Sequence, residues 1–275
     1  MRLLNTLSLT SLAIVAAALP KPCHHAMSHF HLTPGAWHGP WAFDLVRAEL
    51  EAQGYTTSAS TNPSVGTTDP NEAFYADVAN LRADVGRLVD AGKEVVLVGH
   101  SYGGAIIGSA VEGLGAHQRK ATGKKGGIVS QIWMTAFVLD VGGSLGAGVG
   151  PTLPEWWSLS ADKQFFSPLT PEKIFYNDVT DEALVAKASA SLHSEPWKIT
   201  TETATYAPWK HGFNVGYIFC ELDNAIPLAV QQGMAAQFPA GSFTATMNAS
   251  HSPFMSKPKE LADHLVAALK HAKAQ

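Results

Sequence analysis

The sequence predicts an α/β fold with a mostly parallel sheet, helices on both faces and an inserted cap. Strand-like and helix-like segments alternate along most of the chain, which is typical of parallel strands joined by right-handed crossovers. Residues 94–99 read EVVLVG, a continuous apolar run that predicts a central strand buried on both faces of the sheet. The alternation fails between about residues 140 and 210, and this aromatic-rich segment is predicted to form the cap.

The predicted elements follow one another in the order that such a sheet requires. A short apolar run at residues 30–32 precedes the turn-rich segment PGAWHGP. The clearest amphipathic helix carries an apolar stripe formed by Phe74, Val78, Leu81, Val85 and Leu88. The remaining elements are a helix with Phe43, Val46 and Leu50, a strand at 55–60, a helix at about 102–114, a basic surface loop at 117–127, a strand within 128–138, a strand at 215–220, a helix at about 227–238, a strand at 242–247 and a last helix with Leu261, Leu265, Val266 and Leu269 on one face.

Composition argues against several classes of function. The 275 residues are 46% hydrophobic and 15% charged, and the formal net charge of -4 provides no basic surface for a phosphate backbone. We therefore expect no nucleic-acid partner. Cys23 and Cys220 lie 197 positions apart, which argues against a disulfide framework and against a thiolate-rich zinc site.

Residues 1–26 have the pattern of a secretory leader. Their apolar stretch at 7–19 is shorter than the roughly 20 residues that a bilayer-spanning helix needs. Ala16 and Ala18 form the small-x-small pattern of a signal-peptidase site, so we expect a cleaved signal peptide and a secreted protein. The alternative is translation from Met27, directly before the first strand, which would give a complete cytoplasmic domain comprising residues 27–275.

A serine lies within the pentapeptide GHSYG, at residues 99–103, between a predicted strand and a predicted helix. The G-x-S-x-G pattern in this setting predicts a sharp turn from which Ser101 projects, with the helix N-terminus pointing at the site. A serine hydroxyl is a poor nucleophile near neutral pH and requires a neighbouring base. Ser101 is therefore the predicted nucleophile.

His251 is the predicted base among the twelve histidines. It follows the last predicted strand in NASHSPF, where its side chain can reach back over the carboxyl edge of the sheet. The order Ser, acid, His is the one that a nucleophile turn of this kind uses. The histidines assigned instead to the leader and its surroundings, the basic loop or the last helix are His24, His25, His29, His31, His117, His264 and His271.

Two aspartates compete for the role of the acid between Ser101 and His251. Asp223 directly follows the strand VGYIFC, and Asp140 follows the preceding strand. Position within the Ser, acid, His order favours Asp223. Its carboxylate would orient the imidazole and stabilise the cation that forms when His251 takes the serine proton.

The loop after the first core strand, PGAWHGP, is the third part of the predicted site. Acyl transfer needs two N–H donors where negative charge develops on the carbonyl oxygen. The backbone N–H of Tyr102 follows the nucleophile, and that of Ala36 follows Gly35, which lets the backbone approach the substrate. His38 and Gly39 are predicted to shape this loop and not to transfer protons.

Four segments resemble the α/β-hydrolase superfamily: PGAWHGPW, VLVGHSYGG, ELDNAIP with Gln231 downstream, and SHSPFMSKPKEL. They are most similar to its plant methylesterase and hydroxynitrile lyase branch and to microbial carboxylesterases related to that branch. The similarity runs from about residue 30 to residue 269 and is weakest in the cap. It implies an α/β-hydrolase fold, the triad Ser101, Asp223 and His251, and the oxyanion pair Ala36 and Tyr102.

Two departures from that branch bear on the reaction. The lyases carry a threonine in the loop after the first strand and a lysine just after the catalytic histidine, where this chain has Gly35 and Ser252. Without a fixed cation to stabilise leaving cyanide, cyanohydrin cleavage is disfavoured. Pro34 also stands in place of the histidine that opens the plant esterase motif, which argues against a close match to the plant hormone esterases.

We therefore expect a serine hydrolase that cleaves a carboxylic ester or lactone of a small, largely apolar molecule through an acyl-enzyme. No cofactor or metal is implied. Two alternatives stay open. One is a lyase or cyclase of a natural-product pathway that uses the same triad for acid–base chemistry, and the other is a ligand-binding protein without turnover.

Overall fold

The computed structural model describes residues 28–275, so the predicted leader, Cys23 and Met27 lie outside the described part of the chain. In chain order, the strands are β1 (His29–Thr33), β2 (Thr56–Ala59), β3 (Glu94–His100), β4 (Gly127–Met134), β5 (Trp157–Leu159), β6 (Phe165–Pro168), β7 (Glu195–Pro196), β8 (Val215–Cys220) and β9 (Phe243–Met247). The α-helices are α1 (Asp44–Ala52), α2 (Phe74–Asp90), α3 (Gly103–Ser109), α4 (Ala116–Ala121), α5 (Leu145–Val149), α6 (Pro171–Ile174), α7 (Glu182–Ala190), α8 (Leu228–Ala235), α9 (Pro253–Ser256) and α10 (Pro258–Ala274).

Six strands form the central sheet in the order β2-β1-β3-β4-β8-β9, and every neighbouring pair is parallel. Successive side chains of a strand point to opposite faces. Val95, Val96, Leu97 and Val98 on β3 are all fully buried, so both faces of the sheet are covered there. The α/β fold with a parallel sheet is thus confirmed.

The covering helices bury the apolar stripes that the sequence predicts. Helix α10 packs against α1 and against β4 and β9, with Leu261, Leu265, Val266 and Leu269 buried. Helices α2 and α3 pack against each other and against β3. No helix within residues 28–275 is both long enough and apolar enough to cross a membrane.

The prediction of a solvated loop at residues 117–127 is correct for the exposed residues 120–125 and wrong for the start of the segment, which lies in helix α4 and contains a buried cation. The guanidinium of Arg119 donates to the backbone carbonyls of Val89 and Lys125 and pairs with Asp90 at 2.9 Å. These partners stabilise the buried positive charge of Arg119, whereas the basic composition of the segment predicts that its charges are exposed to solvent. Helix α3 is also shorter than predicted and ends at Ser109.

Two histidines that the sequence analysis grouped with the leader belong to the sheet. His29 and His31 lie on β1, and their ring nitrogens hydrogen-bond to the hydroxyls of Thr56, Ser58 and Ser60 over 2.6–2.8 Å. Burial is the main cause that lowers the pKa of His29 to about 4 and that of His31 to about 3. Both imidazoles are therefore neutral structural groups that join β1 to β2.

The segment between β4 and β8 contains the predicted cap and has its own small sheet. Strands β5, β6 and β7 pair in antiparallel order, and helices α5, α6 and α7 accompany them. Antiparallel strands need no crossover helix, and β5 and β6 are joined by a short turn, so the strand-helix alternation is lost in this part of the sequence.

The start of α3 lies directly against the end of β1. A methyl group at Gly103 would lie 2.6 Å from the carbonyl oxygen of Pro34 and closer still to that of Thr33. Only glycine permits this approach, which brings the loop after β1 beside the turn after β3.

Gly103→Ala is expected to destabilise the protein by roughly 1–3 kcal/mol, because an added methyl must separate two backbones. Gly86→Ala is the matched control, since a methyl at this position of α2 meets no atom within 4 Å. The control should gain roughly 0.5–1 kcal/mol from the better helix propensity of alanine. Urea unfolding of both variants measures the difference, and a Gly103→Ala protein as stable as the control would contradict the packing argument.

Candidate active site

Ser101 occupies a strained turn between β3 and α3. Its φ of +52° lies in the left-handed region, which costs a residue other than glycine on the order of 1–3 kcal/mol. The carbonyl of Ser101 accepts hydrogen bonds from the N–H groups of Gly104 and Phe137, both at 3.0 Å. These two bonds from separate segments hold the turn in its conformation.

His251 and Asp223 form a buried pair at the ends of the last two strands of the central sheet. The Nδ1 of His251 lies 2.7 Å from the Oδ2 of Asp223. With Nδ1–H donating to the carboxylate, Nε2 is free to accept a proton. The other oxygen of Asp223 accepts from the N–H groups of Ala225 and Ile226 at 2.6 and 2.9 Å.

The structure decides between the two candidate acids on position. The side chain of Asp140 is 46% exposed and pairs with Lys210 at 2.5 Å. The side chain of Asp223 is fully buried behind His251. Asp223 is therefore the carboxylate in contact with the predicted base, and Asp140 is a surface charge.

Ser101 and His251 line one cavity together with both predicted oxyanion residues, Ala36 and Tyr102. The cavity has a volume of about 690 Å³ including its mouth, and it lies between the carboxyl edge of the sheet and the cap. Its other lining residues are Trp37, Phe137, Leu145, Gly148, Val149, Pro154, Trp156, Trp157, Phe175, Ala225, Ile226, Pro227 and Val230. None of these carries a formal charge.

The oxyanion loop, residues 34–39, lies against the nucleophile turn. A methyl group at Gly35 would be 2.7 Å from the Cβ of Ser101 and 3.0 Å from a ring nitrogen of His100. Glycine at this position therefore lets the loop that carries Ala36 lie against the nucleophile turn. A threonine, as in the lyases, would not fit beside Ser101 in this backbone geometry.

Two further imidazoles near His251 are held neutral. Burial is the main cause that lowers the pKa of His38 to about 4 and that of His100 well below its usual range. His100 donates from Nε2 to the carbonyl of His251 at 2.7 Å, and His38 donates from Nδ1 to the carbonyl of Ala36 at 2.7 Å. Both rings therefore hold backbone in place, which agrees with the loop-shaping role predicted for His38.

The sequence analysis missed Thr135, which donates its hydroxyl to the Oδ2 of Asp223. It follows β4 at the carboxyl edge of the sheet and has a φ of +39°. Thr135 could have been predicted from its position directly after a central parallel strand, because side chains at the carboxyl edge of the sheet converge on the site. A second missed group, formed by Ser64, Asp77 and Glu195, lies behind the oxyanion loop.

Within residues 28–275, no group of three or more His, Cys, Asp or Glu side chains is arranged to hold a metal ion. The residues that line the cavity include the predicted nucleophile Ser101, the predicted base His251, which contacts Asp223, and the predicted oxyanion residues Ala36 and Tyr102. Such a set can carry out acyl transfer.

Residues 32–264 match the Alpha/beta hydrolase family. The Alpha/beta hydrolase nvfD of Aspergillus novofumigatus is 30% identical over 231 residues, which cover 82% of this chain and 90% of that protein. The chain therefore belongs to the α/β-hydrolase family.

Two further likenesses agree with that assignment. Methylesterase 2 of Arabidopsis thaliana is 25% identical over 269 residues, which cover 87% of this chain and 95% of that protein. The crystal structure of a pyrethroid hydrolase from Sphingobium faniae JZ-2 superposes with a TM-score of 0.71 at 21% identity, over 90% of this chain and 100% of that one. The second likeness shows the common fold.

Asp223→Asn is expected to lower kcat by about 10⁴-fold, because an amide in this place favours the wrong tautomer of the imidazole. Asp140→Asn is the matched control and should leave kcat within about twofold, since a surface ion pair contributes little. Steady-state kinetics on one ester substrate measures both. A larger loss of kcat in Asp140→Asn than in Asp223→Asn would identify Asp140, which follows β4, as the acid.

Proposed function

We propose that the protein is a serine esterase that cleaves a carboxylic ester or lactone of a small, largely apolar molecule. The observation that carries this proposal is the shared cavity, which is lined by Ser101, His251, Ala36 and Tyr102. Asp223 contacts the Nδ1 of His251 at 2.7 Å. Membership of the α/β-hydrolase family and the likeness to a methylesterase support the same reaction class.

In the proposed reaction, His251 removes the proton of Ser101 as its Oγ attacks the substrate carbonyl. The N–H groups of Ala36 and Tyr102 donate to the oxygen that becomes negative. His251 then gives the proton to the departing alcohol, and the acyl group remains on Ser101. Water deprotonated by His251 hydrolyses this acyl-enzyme and restores the serine hydroxyl.

The cavity wall supports an apolar substrate. The side chains that line it away from the catalytic groups are aromatic or aliphatic, with Trp156, Trp157 and Phe175 contributed by the cap. A charged substrate group would lose its hydration here without gaining a partner, which costs several kcal/mol or more. We therefore propose a neutral ester whose acyl and alcohol parts are both apolar.

Cyanohydrin cleavage receives no support from the geometry of the site. Cyanohydrin cleavage needs a cation for the leaving cyanide, and no lysine or arginine of the described chain lines the cavity. Ser252, at the position of the lyase lysine, is fully buried beside His251. A lyase or cyclase reaction on another substrate would use the same triad for proton transfer, and the role of Ser101 distinguishes it from hydrolysis.

Ser101→Ala is expected to abolish turnover of a panel of p-nitrophenyl esters while the fold is retained. A fluorophosphonate probe should label the wild-type protein once, at Ser101, and should not label the variant. Ser242→Ala, in the turn before β9, is the control and should keep both turnover and labelling. Retained turnover in folded Ser101→Ala protein would exclude an acyl-enzyme and would favour acid–base chemistry by His251 alone.

A further inference from the structure

A pair of carboxyl groups is buried behind the oxyanion loop, outside the catalytic triad. Asp77 on α2 is 1% exposed and Glu195 on β7 is fully buried. The hydroxyl of Ser64 lies between them, 2.7 Å from the Oδ2 of Asp77 and 2.8 Å from the Oε1 of Glu195. The pair joins the core of the protein to the cap.

Counting hydrogens shows that this group holds one proton more than two carboxylates would. The hydroxyl of Ser64 has a single hydrogen, so it can donate to only one of its two carboxyl neighbours. The other contact is a hydrogen bond only if that carboxyl group is protonated and donates to the Ser64 oxygen.

The donors around the pair indicate which carboxyl group carries the proton. Asp77 accepts from the N–H of Ser64 at 2.9 Å and from the hydroxyl of Tyr102 at 2.6 Å, in addition to the hydroxyl of Ser64. Among the described residues, Glu195 has one hydrogen-bond donor besides its contact with Ser64, the N–H of Trp37 at 2.8 Å. The negative charge is therefore best stabilised on Asp77, and the proton lies on the Oε1 of Glu195.

Within residues 28–275, no lysine or arginine forms an ion pair with Asp77 or Glu195. Lys198, three residues after Glu195, pairs instead with Glu202 at 3.6 Å. Burial is the main cause that raises the pKa of Glu195 to about 8 and that of Asp77 to about 6. The charge of Asp77 further raises the pKa of Glu195, and the charge of Glu72 further raises that of Asp77. The other ionisable groups on the elements around the pair are Tyr102 and His38 on the catalytic loops, Glu72 before α2, and His193, Lys198 and Glu202 in the cap.

The network contacts both halves of the proposed oxyanion hole. Trp37, whose N–H binds Glu195, directly follows the donor Ala36 and has a φ of +65°. The peptide group between Ala36 and Trp37 is also held at its carbonyl, because the carbonyl of Ala36 accepts from the Nδ1 of His38. The Nε2 of His38 lies 2.8 Å from the hydroxyl of Tyr176 in the cap. Tyr102, the second donor residue, is held by Asp77 through its own hydroxyl.

We propose that Glu195 is a neutral carboxylic acid that positions the oxyanion hole, by linking Ser64 and the Asp77 carboxylate to the backbone of Trp37. Glu195 acts through the backbone and does not touch the substrate. This inference rests on the proposed function, since it assigns a positioning residue to the same acyl-transfer site.

Loss of the proton from Glu195 would break the network. Ser64 could then donate to only one of two carboxylates, and the two charges would repel each other across a single oxygen atom. Glu195 would no longer be anchored to Ser64, so the acceptor that fixes the peptide between Ala36 and Trp37 would shift. Transition-state stabilisation would then fall while substrate binding remained. The kcat of the wild-type protein should therefore decline as the pH rises through about 8.

Glu195→Gln tests this directly, because its amide N–H can replace the acid hydrogen towards Ser64 and its amide oxygen can still accept from Trp37. We expect kcat near pH 7 to be retained and the alkaline decline to be lost or moved up by at least about one pH unit. Glu195→Ala should lower kcat by about 10- to 100-fold with KM little changed, which is less than the roughly 10²- to 10³-fold effect of deleting an oxyanion donor. Glu172→Gln, on the exposed side of the cap, is the matched control.

Two measurements on the proton itself do not require activity. The infrared difference spectrum between wild type and Glu195→Gln at pH 6 should show the C=O band of a protonated carboxylic acid. The difference spectrum between wild type and the control Glu172→Gln should lack this band.

Between pH 4.5 and about 8, the folded wild type binds one proton more at Glu195 than the unfolded chain does, so the free energy of unfolding falls as the pH rises. This decline should be smaller in Glu195→Gln.

The proposal would be overturned if the kcat of Glu195→Gln declined at high pH as that of the wild type does. It would also be overturned if the infrared band were absent. If Glu195→Ala does not fold, the glutamine variant and the infrared spectra still decide. A failure confined to these variants would leave the esterase assignment intact, because that assignment depends on the Ser101→Ala result. Conversely, the infrared band can be measured even if the protein has no esterase activity, so it tests the protonation of Glu195 independently of the proposed function.

Discussion

The close contact between the backbone of Gly103 and the chain that follows β1 is the constraint on which the site depends. It brings the turn that carries Ser101 beside the loop that carries Ala36. The two proposed oxyanion donors therefore belong to segments whose separation is set by main-chain contact. Because backbone atoms cannot change rotamer, such donors are already in place before a substrate binds, as electrostatic preorganisation requires.

The cap is hydrogen-bonded to the loops that carry Ala36, Asp223 and His251. Beyond its bonds to the oxyanion loop, it accepts from the hydroxyl of Ser250, next to the catalytic histidine, through the carbonyl of Phe175 at 3.0 Å. It also joins the acid loop, since Asn224 donates to the carbonyl of Lys173 and Asn177 to that of Leu222. Cap and catalytic loops are thus held by shared polar contacts, and a change in one is transmitted to the other.

Much of the fold was predictable from sequence, because a parallel sheet leaves long apolar runs and its helices leave stripes. The nucleophile turn was predictable for the same reason, since G-x-S-x-G is a local pattern with a local geometric cause. The choice between Asp140 and Asp223 needed coordinates, because both follow a strand. The contact between Ser64 and Glu195 joins residues 131 positions apart. The buried guanidinium of Arg119 depends on carbonyls at the end of α2 and in the loop before β4. Neither leaves any periodicity in the sequence.

The aromatic residues at the boundary between cap and core have an optical consequence. Trp37 belongs to the oxyanion loop, yet its ring centroid lies 5.0–6.1 Å from those of Trp156, Trp157, Phe166 and Phe175 in the cap. Indole rings this close couple electronically, so near-ultraviolet circular dichroism and tryptophan emission depend on their mutual orientation. The protein therefore contains an intrinsic chromophore cluster that reports the position of the cap over the reacting groups without any attached label.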